Sequence, residues 1–358
     1  MAPVAQALTA RGGRPSLIFT GQHPHLRPEE FGLDTYPALN LDCAGEQDPH
    51  RHVRKVTAAL LPLLGDAPDL LLVQGDTSSA LGAALAGFMA GIPVGHVEAG
   101  LRTHDPALPW PEEEYRTAID ARAELLFAPT EVAAFNLRRE QVPGEVHVTG
   151  NTGIDSLLAA EAKLPPPTLH DRAVPRLLVT CHRRESWGDG LESIAAALTD
   201  LASSSVAQID VVLHPNPHVA EAMRRHLGQQ PGIKLLAPTG HGELLRLIRD
   251  ADLVLSDSGG IQEEAPTLGT PLLVLREKTE RPEAIASGNA RLVGTSAAAI
   301  AGQTRHLLSN PAELFAMARR AFPFGDGRAG ARIAAIVEEW LETRINVGKS
   351  IRSGTGLA

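Results

Sequence analysis

The chain has 358 residues, with 33 basic and 42 acidic side chains and a formal charge of −9. That length exceeds what one hydrophobic core usually holds, so two domains are expected. Hydrophobic residues at 43% with 21% charged exclude a disordered or fibrous chain, and no long basic block offers a face for duplex nucleic acid.

The chain opens on a helix-like run at Met1-Ala2-Pro3-Val4, without a signal-peptide pattern or an opening strand. Short apolar runs then predict strands at Leu17–Thr20, Leu70–Val73, Val94–Val97, Leu125–Ala128 and Val146–Thr149. Further strands are predicted at Leu177–Thr180, Val211–Leu213, Leu253–Leu255 and Leu272–Leu275. Amphipathic segments between them, such as Arg51–Leu64, Ser78–Ala90, Leu191–Ala202 and Leu244–Ala251, predict helices. Strand and helix in alternation mean βαβ units and parallel sheets. No run reaches the ~18 apolar residues of a helical bilayer span, so no membrane partner is expected. Cys43 and Cys181 are too few for a disulfide framework or a four-ligand zinc site and point to a reducing cytoplasm.

The sharpest break is Lys163-Leu164-Pro165-Pro166-Pro167, an extended connector that cannot continue a helix. It divides a first domain, 1–165, from a second, 168–327; a helix over 328–345 is expected to pack back toward the first, and 346–358 to form a loose tail. The halves resemble each other where a strand runs into an acidic-small loop: Gln74-Gly75-Asp76-Thr77-Ser78 in the first, Ser256-Asp257-Ser258-Gly259-Gly260 in the second. This pattern fits two Rossmann-like halves facing each other across a cleft, with ligands outside the carboxyl ends of the strands.

Three clusters concentrate the chemistry. Ser258, Gly259 and Gly260 open a helix whose free N–H groups suit a pyrophosphate, and Glu264, one turn in, can accept from ribose hydroxyls. With no GxGxxG directly after any of these strands and no Walker lysine, that diphosphate belongs to neither NAD nor a P-loop ATP. Asp76 and Glu98 each close a strand, and carboxylates crowded at one cleft can supply an acid and a base. Glu112 and Arg116 share a helix face, whereas Glu113 and Glu114 read as exposed. His182, Arg183 and His214 follow strands and form an electropositive lip for a leaving diphosphate, and Arg281 faces the same cleft. There is no HExxH, and no DxD follows a predicted strand where it could hold a diphosphate-bound magnesium, so no metal is expected.

These motifs together resemble the bacterial non-hydrolysing UDP-N-acetylglucosamine 2-epimerases: Gly75-Asp76-Thr77, HVEAGLRT from His96 to Thr103, PWPEE from Pro109, and GNTxID from Gly150 to Asp155. HRRES from His182, HPNP from His214, SDSGGIQEEAP from Ser256 and TERPE from Thr279 complete the set, in order over roughly residues 2 to 340. The resemblance implies an α/β, GT-B-like fold with the active site between the domains. It implies reversible conversion of UDP-GlcNAc to UDP-ManNAc by anti elimination of UDP to 2-acetamidoglucal and readdition, with no cofactor. It assigns Asp76, Glu98, Glu112, Arg116 and His214 to the sugar and proton chemistry, Ser258, Gly259, Gly260 and Glu264 to UDP, and Arg281 beside it. It also implies a homodimer and a supply role for cell-envelope polysaccharide.

Two departures from the family pattern carry expectations. The family opens with a strand and a GTRPE loop ahead of the Ala-Pro seen here as Ala2-Pro3, so the chain reads as N-terminally short. It is expected to be poorly stable and nearly inactive as written, and to recover both properties with ~15–20 upstream residues, enough for a strand and a loop. The family's TxQH loop is present as Thr20 to His23, marking Gln22 and His23 as an allosteric candidate, but the segment Cys43 to Asp48 does not match its usual partner. The alternatives are a hydrolysing epimerase that releases ManNAc, a GT-B glycosyltransferase, and an inactive nucleotide-sugar-binding protein.

Overall fold

The protein, seen as a computed structural model, is described over residues 1–23, 28–65, 68–166, 174–181 and 189–354, with side chains to residue 344. It divides into two compact units, Met1–Ser156 with Gly325–Ala358, and Leu157–Phe324. The division falls within the helix Thr152–Glu161, ahead of the proline run.

The first unit contains β1 (Leu17–Phe19), β2 (Ala38–Asn40), β3 (Leu71–Gln74), β4 (Val94–Val97), β5 (Leu125–Ala128) and β6 (Glu145–Val148). β1 and β2 form a parallel pair of their own, while β3-β4-β5-β6 form a parallel sheet in chain order. β4 and β5 are buried along their whole length, the signature of a parallel sheet covered on both faces. One covering helix is Ser78–Ala90, started by Thr77, whose hydroxyl accepts from Ala80 N. Its small residues let it lie close to the helix Pro49–Leu60, since a Cβ on Gly82 would stand 2.8 Å from Val56 Cβ. The other face is closed by the two ends of the chain: Val4, Ile333 and Val337 pack on Val97, Leu125 and Phe127. The final helix runs Ala329–Gly354, beyond the position where a loose tail was expected at 346. No proline interrupts those residues, and the two glycines at 348 and 354 are tolerable in a helix already begun.

The second unit contains β7 (Arg176–Thr180), β8 (Gln208–Val212), β9 (Ile233–Leu236), β10 (Leu253–Ser256), β11 (Leu272–Val274) and β12 (Ala290–Leu292). All are parallel in the order β12-β11-β10-β7-β8-β9. Numbered within the unit this is 3-2-1-4-5-6, the doubly wound Rossmann order, and the chain reverses direction across the sheet between β7 and β10. Ligands bind in such sheets outside the carboxyl ends of the two strands at that switch point. The paired residues there are Thr180 and Ser256, whose hydroxyls lie 2.7 Å apart.

Candidate active site

In the first unit, adjacent strands β3 and β4 deliver Asp76 and Glu98. Gly75 takes the left-handed conformation at φ 68°, which a side chain would resist, and turns the chain out of β3 so that Thr77 can begin the next helix. Glu98 does the same at φ 71°, rare for a residue with a Cβ. The strain is held by two hydrogen bonds, Glu98 N and Ala99 N both donating to the Phe127 carbonyl at 3.0 and 3.1 Å. The result is proximity: Glu98 Oε2 is 3.9 Å from where a Cβ on Gly75 would stand.

Arg116 reaches Asp76 from the helix Glu112–Asp120, with its guanidinium in an ion pair to Asp76 Oδ2. It is 2% exposed and also pairs with Glu113 at 3.1 Å. Glu113, expected at the surface with Glu114, is instead 6% exposed. The reason is a loop rather than a charge: Glu113 Oε1 accepts from Thr103 N at 3.0 Å and His104 N at 2.9 Å, so its carboxylate holds the end of HVEAGLRT. Glu114 is exposed, and Glu112 is half-buried at the start of the helix. Gln22, from the loop after β1, accepts from Ser79 Oγ at 2.5 Å, while His23 is exposed.

In the second unit, the loop after β10 opens the helix Gly259–Leu268 at the switch point. Ser258 occupies its N-cap position, yet the hydroxyl caps none of the helix N–H groups. The Ser258 N–H donates back to Ser256 Oγ at 3.0 Å. Gly260 is exposed, and a Cβ there would meet only Ser258 Oγ within 4 Å. First-turn N–H groups beside open space form a site for an anion. Buried Gln262 ties the loop to its neighbour, donating to the Ser258 carbonyl at 3.3 Å and accepting from Thr279 Oγ1.

Glu264 is half-buried and accepts from His241 Nε2 at 2.9 Å. That hydrogen bond is the main force raising the His241 pKa above its ordinary value, against partial burial. Arg281, expected to face the ligand, is buried, with Nε on Glu263 Oε1 at 2.6 Å and NH1 paired to Glu280. Its two carboxylate neighbours draw the guanidinium inward, so it braces the loop from behind. His214 follows β8, and its Nδ1 accepts from Asn216 N at 2.9 Å, which leaves the ring hydrogen on Nε2. His182 and Arg183 lie outside the described residues.

Sequence reasoning missed His96, Asp120 and Arg102 behind the first site, and His241 and Gln262 at the second. The available signal was a polar residue inside an apolar run, as with His96 within Val94–Val97. Among the described residues, no group of three His, Cys, Asp or Glu is arranged to hold a metal ion. Nor is any described helix long and apolar enough to cross a membrane.

Two units with parallel sheets, one of them a doubly wound sheet with an anion-ready helix at its switch point, define a GT-B-like α/β protein. Likeness in fold alone extends to the calicheamicin glycosyltransferase, at 16% identity and a TM-score of 0.58 over 95% of this chain and 94% of that one. A family model described as UDP-N-acetylglucosamine 2-epimerase matches residues 6–338. The UDP-N-acetylglucosamine 2-epimerase of Escherichia coli strain K12 is 44% identical over 93% of each chain. The crystal structure of the UDP-GlcNAc 2-epimerase from Neisseria meningitidis bound to UDP-GlcNAc has a TM-score of 0.89 at 35% identity, covering 95% of this chain and 96% of that one. The chain therefore belongs to the UDP-N-acetylglucosamine 2-epimerase family, and the enzyme is an isomerase.

Proposed function

We propose that this enzyme interconverts UDP-GlcNAc and UDP-ManNAc without hydrolysis, by elimination and readdition of UDP. The observation that carries the reading is the pair of carboxylates on adjacent strand ends, with Glu98 held in a left-handed conformation beside Gly75. Either Asp76 or Glu98 takes the C2 proton, the C2–H electron pair becomes the C1=C2 double bond, and the C1–O bond breaks as UDP leaves. Readdition of UDP with protonation of C2 from the other face inverts that carbon. Glu112 and Arg116 support the sugar side. The bond from Arg116 to Asp76 keeps the carboxylate oriented toward its substrate.

Ser258, Gly259, Gly260 and Glu264 are proposed to hold UDP, with the diphosphate on the first-turn N–H groups and Glu264 on the ribose. His214, with its hydrogen on Nε2, is suited to donate to the departing diphosphate. His182 and Arg183 are assigned to the same charge. No cofactor enters the proposal, because elimination solves the acidity problem that oxidation would otherwise address. We further propose a cytoplasmic homodimer that supplies envelope polysaccharide synthesis. A second UDP-GlcNAc beside Gln22 and His23 would show as sigmoidal kinetics with UDP-ManNAc, relieved by a trace of UDP-GlcNAc; hyperbolic kinetics would remove it.

The main test is proton NMR of UDP-GlcNAc with the enzyme in D2O. Deuterium at C2 with UDP-ManNAc as product is the expected outcome. Free ManNAc and UDP would establish hydrolysis instead, and an unexchanged C2 proton would sink the reading.

A further inference from the structure

We propose that His96 and Asp120 form a buried positioning pair that sets the spacing of Asp76 and Glu98. The proposal rests on the epimerase reading above and assigns residues that take no direct part in it.

His96 lies inside β4 and Asp120 ends the helix Glu112–Asp120; both are 0% exposed. His96 Nδ1 lies 2.6 Å from Asp120 Oδ1, and Nε2 lies 2.9 Å from the Gly75 carbonyl. A carbonyl and a carboxylate oxygen both accept, so each ring nitrogen must carry a hydrogen and the ring is an imidazolium. Asp120 is the matching anion. Its second oxygen accepts from Gly100 N at 3.1 Å and Arg102 NH2 at 2.8 Å, and Arg102 is balanced in turn by Glu140 at 2.7 Å. Burial opposes charge on both partners, yet each holds the other charged. The His96 pKa is raised by Asp120 and by its bond to Gly75, and the Asp120 pKa is lowered by His96 and Arg102.

What this pair touches gives it a function. Gly75 precedes Asp76 in sequence, and Gly100 follows Glu98 by two residues. Asp120 therefore reaches one carboxylate-bearing loop through His96 and the other directly. The same helix also supplies Arg116 to the side chain of Asp76. The side chain of Asp76 and the backbone before it are thus fixed from one helix, by Arg116 and Asp120, four residues apart on a shared face. The charged groups facing His96 are Asp120 and Asp76, with Arg102 and Glu140 behind Asp120.

The test combines turnover with nitrogen NMR on the full chain. In the unaltered protein with 15N-labelled histidine, His96 should show hydrogen on both ring nitrogens at pH 8; a neutral ring there overturns the proposal. His96→Ala should lower kcat about 100-fold with the KM for UDP-GlcNAc within about threefold, since misplacing a reacting group by about 1 Å costs that much. His96→Gln, whose amide can still donate to the Gly75 carbonyl, should recover part of the loss. A folded His96→Ala enzyme with wild-type kcat would overturn the assignment. If that variant does not fold, the NMR result on the unaltered protein still decides. Asp76→Asn separates the two claims: if it keeps full turnover, the epimerase reading of Asp76 fails, whereas a dead Asp76→Asn beside an active His96→Ala removes only the positioning pair.

Discussion

Each unit sets a histidine against a carboxylate near a strand-end loop, but the two pairs differ in how far they are sealed from water. In the first unit the His96–Asp120 pair is sealed from water, both ring nitrogens are bonded, and the charge continues into Arg102 and Glu140. In the second, His241 and Glu264 meet at 2.9 Å with the histidine side chain 38% exposed and the carboxylate 17% exposed. Burying charges costs several kcal/mol per ion unless they are paired, so the first arrangement persists only as a complete set. The second is open to solvent, and under the proposed function a ribose hydroxyl would compete with His241 for Glu264. On the proposed reading, a fixed frame suits the carboxylates that exchange a proton with a carbon atom, and an open one suits a loop that accepts and releases a nucleotide.

The largest expected effect tests the sealed frame. Asp120→Ala leaves His96 and Arg102 without their shared anion, and unfolding in urea should show a loss of about 3–5 kcal/mol. A loss below 1 kcal/mol would mean the set is not cooperative. The pH dependence follows from the two shifts. The His96 pKa is raised, so its contribution is complete below about pH 6.5 and is lost as pH rises through the folded value. The Asp120 pKa is lowered, so its contribution is present above about pH 3.9 and is lost as pH falls through the folded value.

Next in size is the buried brace of the second unit. Arg281→Met removes a partner from Glu263 and Glu280, but Glu280 keeps Arg276 at 2.9 Å. The expected loss is about 3 kcal/mol in the same urea assay, with weakened UDP binding following from the loosened loop. If UDP affinity collapsed while stability held, Arg281 would be a ligand-facing cation after all. Glu264→Gln should do the reverse: stability altered by no more than a few tenths of a kcal/mol, and UDP binding by calorimetry about tenfold weaker, the worth of one hydrogen bond to a charged group.

The same contrast explains what the sequence made legible. Asp76, Glu98 and Ser258 stand where an apolar run stops, and in parallel sheets that place is where ligands bind, so position alone marked them. β2, β9 and β12 escaped prediction because three or four residues with mixed exposure, such as Ala290-Arg291-Leu292, offer no period to read. Glu113, between two other glutamates, reads in the sequence as exposed; its burial depends on N–H groups of Thr103 and His104 that only the folded loop brings near. The place of Arg281 after a strand points it at the ligand, but the direction of a long side chain is decided by partners 1 and 18 residues away in sequence. His96 and Asp120, 24 residues apart, form a pair only after β4 and the following helix have packed.

The smallest effect comes from the open pair and gives the cleanest contrast with His96. The His241 pKa is raised mainly by its hydrogen bond to Glu264, so the pair stabilises the fold fully below about pH 6.5 and loses that contribution as pH rises through the folded value. With the imidazole more than one-third exposed, solvent screening limits the effect to a few tenths of a kcal/mol. His241→Ala should therefore lower stability slightly at pH 6 and by less at pH 9, and added salt should shrink the effect. The His96–Asp120 pair, shielded from the solvent, should show little response to the same salt. If both pairs responded alike to salt, burial would not be what separates the two units, and the frame behind Asp76 and Glu98 would have to be as open as the His241–Glu264 pair.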